Sequence, residues 1–240
     1  MISSGVGSKI SVIIPTLNEE IGIGALLESL SSRPDLEIIV SDGGSADRTE
    51  EICRTCGVTF IAGHPCRGRQ MNAGAKIASG EILLFLHADS SLEGRVLDEV
   101  RNAVSNGKRW GCCTFGFNEN CLFFKVLAAI CRWRVLLSSI CYGDQGIYCT
   151  RELFRRVNGF PDLPLFEDRV FSGRMRRVGR AFVVQGRITT STRRFRKRGL
   201  WSMLWKSQLL KLMFMLGVSP YKLSSMYQQT GDAKVCQQQP

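Results

Sequence analysis

The stretch ISVIIPTLNEEIGIGALLESLSSRPDLEIIVSDGGSADRTEEI, Ile10 to Ile52, decides the fold. It opens on a β-branched apolar run, Ile10–Ile14, that stops at Pro15. A helical stretch, Glu19–Ser32, follows with Ile23, Leu26, Leu27 and Leu30 on one side, and a second apolar run, Leu36–Val40, stops at Ser41-Asp42-Gly43-Gly44. Runs that are apolar at consecutive positions, rather than strictly at alternate ones, call for burial on both faces, as in a parallel sheet. Strands alternating with helices of about a dozen residues read as βαβ units.

Working outward, Val58–Ala62 and Ile82–Leu86 add two more such runs, with helices predicted over Ala46–Cys56 and Gly68–Ala78. Residues up to about Ser90 therefore predict one half of a nucleotide-binding α/β fold. Beyond it the pattern predicts a helix over Gly94–Ser105, a strand over Trp110–Phe117 and an apolar helix from Cys121. A strand leading to Cys149, a helix over Arg151–Val157 and a loop over Phe160–Phe166, punctuated by Pro161 and Pro164, come next. The chain ends with a helix over Glu167–Val178, a strand over Ala181–Gln185, helices over Leu200–Leu216 and Pro220–Gln228, and a polar Gln-rich tail.

Composition narrows the function classes. With 240 residues, 44% hydrophobic and 22% charged, the chain is globular rather than disordered. Ten cysteines do not make a disulfide framework in a chain this long. Met1–Lys9 lacks a basic segment followed by an apolar one, so reduced thiols and a cytoplasmic location are expected. Cys53 and Cys56 have C-x-x-C spacing without a second such pair, which argues against a metal or redox role. The net charge of +11 is local: Arg169 to Gly231 holds 14 Lys or Arg and no Asp or Glu. An anionic partner is expected there. The apolar tracts Cys121–Ile140 and Leu209–Val218 are broken by cations, so neither reads as a membrane span, though both suit a membrane interface or a buried helix.

Ligands of open α/β sheets bind beyond the carboxyl ends of the strands. That rule selects Pro15–Glu19, Ser41–Asp47 and His87-Ala88-Asp89. No glycine-rich dinucleotide loop follows the first strand and no P-loop occurs anywhere. Asp89, at a strand end beside His87, suits a hard divalent cation bridging diphosphate oxygens, and equally a helix N-cap for the segment starting near Ser90. Arg69 and Asn72 open the third helix, where phosphate is favoured.

The segments SVIIPTLNEE, SDGGSADRTEEI, RGRQMNAGAKIASGEILLFLHAD, GDQGIY and FEDRVFSGRMRRVG, in that order and at those spacings, resemble glycosyltransferase family 2, the inverting GT-A enzymes. Within that family the chain is similar to the short radical-SAM/selenodomain-associated glycosyltransferases, from Lys9 to about Tyr227. The resemblance implies the GT-A nucleotide-diphospho-sugar transferase fold: a central, mostly parallel sheet flanked by helices, with C-terminal helices appended. It divides the chain into a catalytic domain over 1–198, with a nucleotide-binding half over 1–90 and an acceptor-binding half over 91–198. Amphipathic helices and a frayed tail occupy 199–240.

The same resemblance implies that Pro15, Thr16, Glu19 and Asp42 grip the nucleoside of a UDP- or GDP-linked sugar, with Arg69 and Asn72 nearby. The family's D-x-D motif matches His87-Ala88-Asp89, so Asp89 takes Mn2+ or Mg2+ with His87 as helper. Its E-D pair matches Glu167-Asp168, with Asp168 as general base, and its basic segment near the leaving diphosphate matches Arg193–Lys197. The chemistry needs such parts under any name: the leaving diphosphate must be neutralised and the attacking hydroxyl deprotonated.

A hexosyltransferase-type enzyme is the leading expectation. A non-enzymatic basic membrane-docking module and a sugar nucleotidyltransferase on the same fold are the alternatives. Leu200, Trp201, Leu204, Trp205, Leu209 and Leu212 form a stripe at helical spacing with Lys206 and Lys211 alongside, which suits an anionic membrane surface, a lipid-linked acceptor or a homodimer seam. A peripheral position at the inner face of the membrane follows from the first of these. Nucleic acid is not expected, because base-facing polar residues do not interleave with the aromatics.

Overall fold

A computed structural model describes residues 8–119, 121–190 and 200–228. Its elements, in chain order, are β1 (Ile10–Thr16), α1 (Ile23–Ser31), β2 (Leu36–Asp42), α2 (Thr49–Thr55), β3 (Thr59–Ala62), α3 (Arg67–Ile77), β4 (Ile82–Phe85), β5 (Ser90–Leu92) and α4 (Val96–Ser105). They continue with β6 (Trp110–Phe117), α5 (Leu122–Ser138), a 3-10 turn (Gly143–Gln145), β7 (Ile147–Thr150), α6 (Arg151–Arg156), α7 (Glu167–Arg176), β8 (Phe182–Thr190), α8 (Leu200–Met215) and α9 (Pro220–Gln228).

The strands form one sheet in the order β3-β2-β1-β4-β7-β6-β8-β5. β1, β2, β3, β4, β6 and β8 run the same way, and β7 and β5 run against them. The mostly parallel α/β sheet expected from the sequence is therefore present. The continuous apolar runs do what their pattern requires. On β1 and β4, Val12, Ile14, Ile82 and Leu84 pack on one face with α1 and α4, while Ile13, Leu83 and Phe85 pack on the other with α3 and α7. Cys53, Cys112, Cys113, Cys141 and Cys149 are buried thiols in these layers.

Three segments differ from the sequence pattern. Ser90–Leu92 is a strand, paired antiparallel with β8, so Asp89 caps no helix. β8 runs on past Gln185 to Thr190, because its second half pairs with both β6, across a bulge, and β5. Such pairings join residues about seventy to a hundred positions apart, and local apolar patterning does not report them. The third is α5, for which the sequence suited a membrane interface or a buried helix; the second does not hold, since Phe124 and Val135 are its buried residues and much of the rest faces solvent. No helix among the described residues is long and apolar enough to cross a membrane.

At the sheet end away from the strand carboxyl termini, Glu37 of β2 ties three elements together. Its carboxylate accepts hydrogen bonds from the Ser11 hydroxyl of β1 and from the Ser79 N–H and hydroxyl at 2.8 and 2.7 Å, with the Lys9 ammonium 3.8 Å away. Burial raises its pKa, but the Ser11 and Ser79 hydrogen bonds and the Lys9 charge outweigh it and hold the group below its ordinary 4.5. A carboxylate whose pKa falls on folding stabilises the fold above its unfolded pKa and loses that contribution as pH falls through the folded value. Glu37→Gln should cost about 1–3 kcal/mol at pH 7, the range for hydrogen bonds to a charged group. In urea unfolding at a series of pH values, the gap from wild type should narrow between pH 7 and pH 3; a constant gap would count against the assignment.

Candidate functional site

The loops after β1 and β2 are stitched into one surface at the carboxyl ends of the strands. Asp42, the last residue of β2, is buried and accepts from the Thr16 hydroxyl at 2.9 Å, the Gly44 and Ser45 N–H groups at 2.7 Å each and the Ser45 hydroxyl at 2.5 Å. Asn18, in the left-handed region at φ 55°, accepts from the Ala46 N–H, and its own N–H donates to the Ser45 hydroxyl. The Glu19 N–H donates to Thr49, and the Glu20 N–H to Asp47. Pro15, which lacks an N–H, sits opposite Ser41 in the β1–β2 register. Pro15, Thr16, Glu19 and Asp42 are thus brought together, with Asp42 as the anchor of the loop.

Below that surface lies Gln70 on α3. Its amide nitrogen donates to the carbonyls of Thr16 and Ser41, both at 2.8 Å, and so holds the ends of β1 and β2 together. Helix α3 also sets the loop that precedes α7. Asn72 makes a reciprocal pair with the backbone of Phe160, both bonds at 2.9 Å, and Arg69 makes a bidentate pair with Asp162 at 2.7 and 2.6 Å. Gly68 lets this loop approach, since a Cβ there would stand 2.6 Å from the Pro161 carbonyl oxygen. The side chains of Arg69 and Asn72 therefore engage the 158–166 loop.

That loop delivers Glu167 and Asp168. Phe166 takes a left-handed conformation, φ 64°, as the N-cap of α7, a strained choice for a non-glycine residue of the kind that clusters at functional sites. Its ring lies 4.6 Å from that of Phe214 on α8. Glu167 is buried and pairs with Arg67 at 3.3 Å. Burial pushes the Glu167 carboxyl above its ordinary pKa, the Arg67 charge pulls it back in part, and the adjacent Asp168 adds to the rise. Asp168 accepts from the Gly143 N–H at 2.8 Å and from the Arg169 N–H at 2.6 Å.

Asp168 and Glu167 line a cavity of about 480 Å³ together with His87, Arg67, Arg134, Tyr142, Asp144 and Lys211. Its remaining lining is largely apolar: Phe115, Phe117, Leu127, Ile130, Leu165 and Phe166. The Asp144 Oδ1 and the Arg134 Nε are both buried without a hydrogen-bond partner among the described residues. Buried polar atoms left in that state are sites for a ligand or water. Burial raises the Asp144 pKa, the Arg134 charge opposes it, and Asp168 reinforces it. Burial lowers the Lys211 pKa, and Arg134 beside it lowers it further. The Lys211 ammonium lies 4.6 Å from the centre of the Tyr142 ring, and the Arg134 guanidinium 4.3 Å from it.

His87 and Asp89 lie past the end of β4, both half-buried. The His87 ring packs so closely on the turn after α5 that a Cβ on Gly143 would stand 2.5 Å from its Nε2. Among the described residues no three His, Cys, Asp or Glu side chains converge as a metal cage. The donor set is one carboxylate with an imidazole two residues before it. That set fits a cation such as Mg2+, which holds one or two carboxylates and takes its other ligands from phosphates and water. The basic segment Arg193–Lys197 and the side chains of Leu200, Trp201 and Leu204 lie outside the described residues. The sequence assigns no site role to Gln70, Arg134, Asp144 or Lys211, although Gln70 lies in the RGRQMNAG segment, Asp144 in the GDQGIY segment and Lys211 beside the helical stripe of the C-terminal part.

Comparison with known proteins adds three findings. The family model described as glycosyl transferase family 2 matches residues 11–156. Among curated relatives, a PGL/p-HBAD biosynthesis glycosyltransferase of Mycobacterium bovis is 37% identical over 91 residues, 34% of this chain and 36% of that one. The GalNAc(5)-diNAcBac-PP-undecaprenol beta-1,3-glucosyltransferase of Campylobacter jejuni is 30% identical over 109 residues, 41% of this chain and 35% of that one. The match thus spans about a third of the length of these relatives. Among solved structures, the mannosyltransferase PcManGT from Pyrobaculum calidifontis, in complex with GDP-Man and Mn2+, superimposes with a TM-score of 0.61 at 19% identity, covering 93% of this chain and 69% of that one. The likeness extends the fold across nearly the whole chain.

Gln70 carries a checkable consequence. Gln70→Ala should lower the unfolding free energy by about 1–3 kcal/mol, the cost of stripping buried acceptors of their donor. Amide exchange at Gly43, Gly44 and Ser45 should quicken. Unchanged exchange there would mean that Gln70 does not hold the two strand ends.

Proposed function

The chain belongs to glycosyl transferase family 2, and from that membership we propose that it transfers a hexosyl group from a UDP- or GDP-linked sugar to an acceptor hydroxyl, inverting the anomeric centre. The observation that carries the reading is the Asp168 carboxylate, held by the Gly143 N–H in the wall of the cavity beside His87. One face of the site is the stitched loop surface, where Pro15, Thr16, Glu19 and Asp42 receive the nucleoside. Arg69 and Asn72 serve the donor by fixing the 158–166 loop against α3. In this reading residues 1–90 bind the nucleotide, 91–198 the acceptor, and 199–240 form an appended C-terminal part.

As the acceptor oxygen bonds to the anomeric carbon, its proton passes to the Asp168 carboxylate. The bond from that carbon to the diphosphate oxygen breaks, and its electron pair leaves with the nucleoside diphosphate. Attack from the face opposite the leaving group inverts the centre. Glu167, paired to Arg67, fixes the first turn of α7 so that Asp168 keeps its aim. Asp89, with His87 beside it, would hold Mn2+ or Mg2+, which supplies charge neutralisation to the departing diphosphate. PcManGT is described with GDP-Man and Mn2+, which supports the donor class and the cation. The Campylobacter relative is named for an undecaprenol-linked substrate, which supports a lipid-linked acceptor; a peripheral position at the inner face of a membrane is the location that such an acceptor would call for.

Two variants test the assignment. UDP- or GDP-sugars with Mn2+ should raise the melting temperature of the wild type, and Asp89→Ala should remove the shift; no shift with any sugar nucleotide would sink the donor reading. Asp168→Asn should keep the shift but lose turnover by about 10²–10⁴-fold, the usual contribution of a general base. Undiminished turnover would take the base role from Asp168.

A further inference from the structure

The cavity wall nearest solvent is built by two helices whose outer faces are apolar. On α5, Leu122, Val126, Ile130, Trp133 and Leu137 recur at spacings of four, four, three and four residues, the period of one helix face. They are strongly exposed: Leu122 77%, Ile130 58%, Trp133 63% and Leu137 75%. On α8, Trp205, Leu209, Leu212 and Met215 repeat the pattern, with Trp205 74% exposed. Apolar surface of this extent on a soluble domain marks an interaction site.

Two further observations identify the partner. Helices α5, α8 and α9 contain Lys125, Arg132, Arg134, Lys206, Lys211 and Lys222 and not one Asp or Glu. Lys125, Lys206 and Lys222 are exposed. A face of exposed Leu, Ile and Trp interspersed only with cations is complementary to an anionic bilayer surface, where tryptophan and lysine anchor interfacial helices. Two copies of the same face would oppose cation to cation with no carboxylate to relieve them. The second observation is continuity. Ile130 belongs to the exposed stripe of α5 and also to the cavity lining, while on α8 Gln208 and Lys211 line the cavity one residue before the exposed Leu209 and Leu212. The outer apolar surface therefore runs over the rim into the apolar part of the cavity and ends at Asp144 and Asp168.

We infer that α5 and α8 together seat the protein on an anionic lipid surface, and that the acceptor is a hydroxyl-bearing head group whose apolar chain passes between these helices into the cavity. The acceptor half of this inference rests on the transfer reading above; the docking half does not. What the structure adds is the exposed face of α5, a tract that the sequence left open between a membrane interface and a buried helix.

The test is flotation of the full chain with vesicles of phosphatidylcholine, with and without phosphatidylglycerol. Wild type should bind the anionic vesicles and shift its tryptophan emission to the blue. Val126→Glu with Trp133→Glu on α5, and separately Leu209→Glu with Leu212→Glu on α8, should each weaken binding at least tenfold while the melting-temperature shift with sugar nucleotide and Mn2+ persists. Equal binding by the α5 variant, or no binding of wild type to either vesicle, would overturn the proposal. So would a wild-type dimer in light scattering that the same substitutions convert to monomer, since the face would then belong to a second copy. Vesicle binding without any donor shift would leave the docking face standing and remove the transfer reading, so the two fail separately.

Discussion

Everything at the site depends on β4, whose four residues are fully buried and which pairs parallel with β1 on one side and antiparallel with β7 on the other. It joins the strands of the first half of the chain to those of the second. Neighbouring strands lie about 4.8 Å apart, so the residues leaving the end of β4 are set beside those entering β7. Phe85 lies opposite Ile147, and two residues past Phe85 the His87 ring meets Gly143, just before β7 begins. Gly143 in turn donates its N–H to Asp168. An antiparallel neighbour in a mostly parallel sheet thereby brings a loop from each half of the chain to one cavity wall.

A second constraint is helix α3, which faces both ways. Inward, Gln70 clamps the ends of β1 and β2. Outward, Asn72 and Arg69 hold the loop that ends in the strained Phe166. One rigid helix thus fixes the spacing between the stitched loop surface and Asp168. The buried Glu167 beside Asp168 is tolerable because Arg67, at the first turn of the same helix, compensates it. Arg69 and Asn72, at the N-terminal end of that helix, thereby set the place of the loop that carries Asp168.

The first half of the fold was legible because its signals are local. Runs such as Ile10–Ile14 and Ile82–Leu86 report two-sided burial without reference to any other part of the chain, and Pro15 and Asp42-Gly43-Gly44 mark where they stop. Asp42, Asp89 and Asp168 were legible as candidates because strand ends and an ordered motif set point to them. What was hidden is relational. Ser90–Leu92 is a strand only because β8 lies beside it. Gln70 and Arg134 are ordinary polar helix residues until strand ends, or Asp144 in the 3-10 turn that follows α5, are placed against them. The exposure of α5 was hidden for the same reason, since a helix of seventeen residues rich in Leu, Phe and Ile carries no mark saying which of its faces will find a partner.

The charge distribution takes on a structural meaning in this light. Among the described residues the carboxylate-free C-terminal region gives the cavity one cation, Lys211, which joins Arg67 and Arg134 around acids from elsewhere in the chain: Asp144 from the turn before β7, Glu167 and Asp168 from the start of α7. Lys211 and Arg134 stand between the two groups, both beside Tyr142. Burial raises the Asp144 pKa, the charges of Arg134 and Lys211 oppose that rise in part, and Lys211, itself pushed toward neutrality by burial, is the cation that α8 contributes. Because α8 is anchored by Phe214 on the strained Phe166 and by Lys211 on Tyr142, any force that moves α8 also changes the electrostatics of Asp144 and Asp168. Under the proposed function and the docking inference, docking at the outer face of that helix and proton transfer at its inner end are coupled through one rigid element.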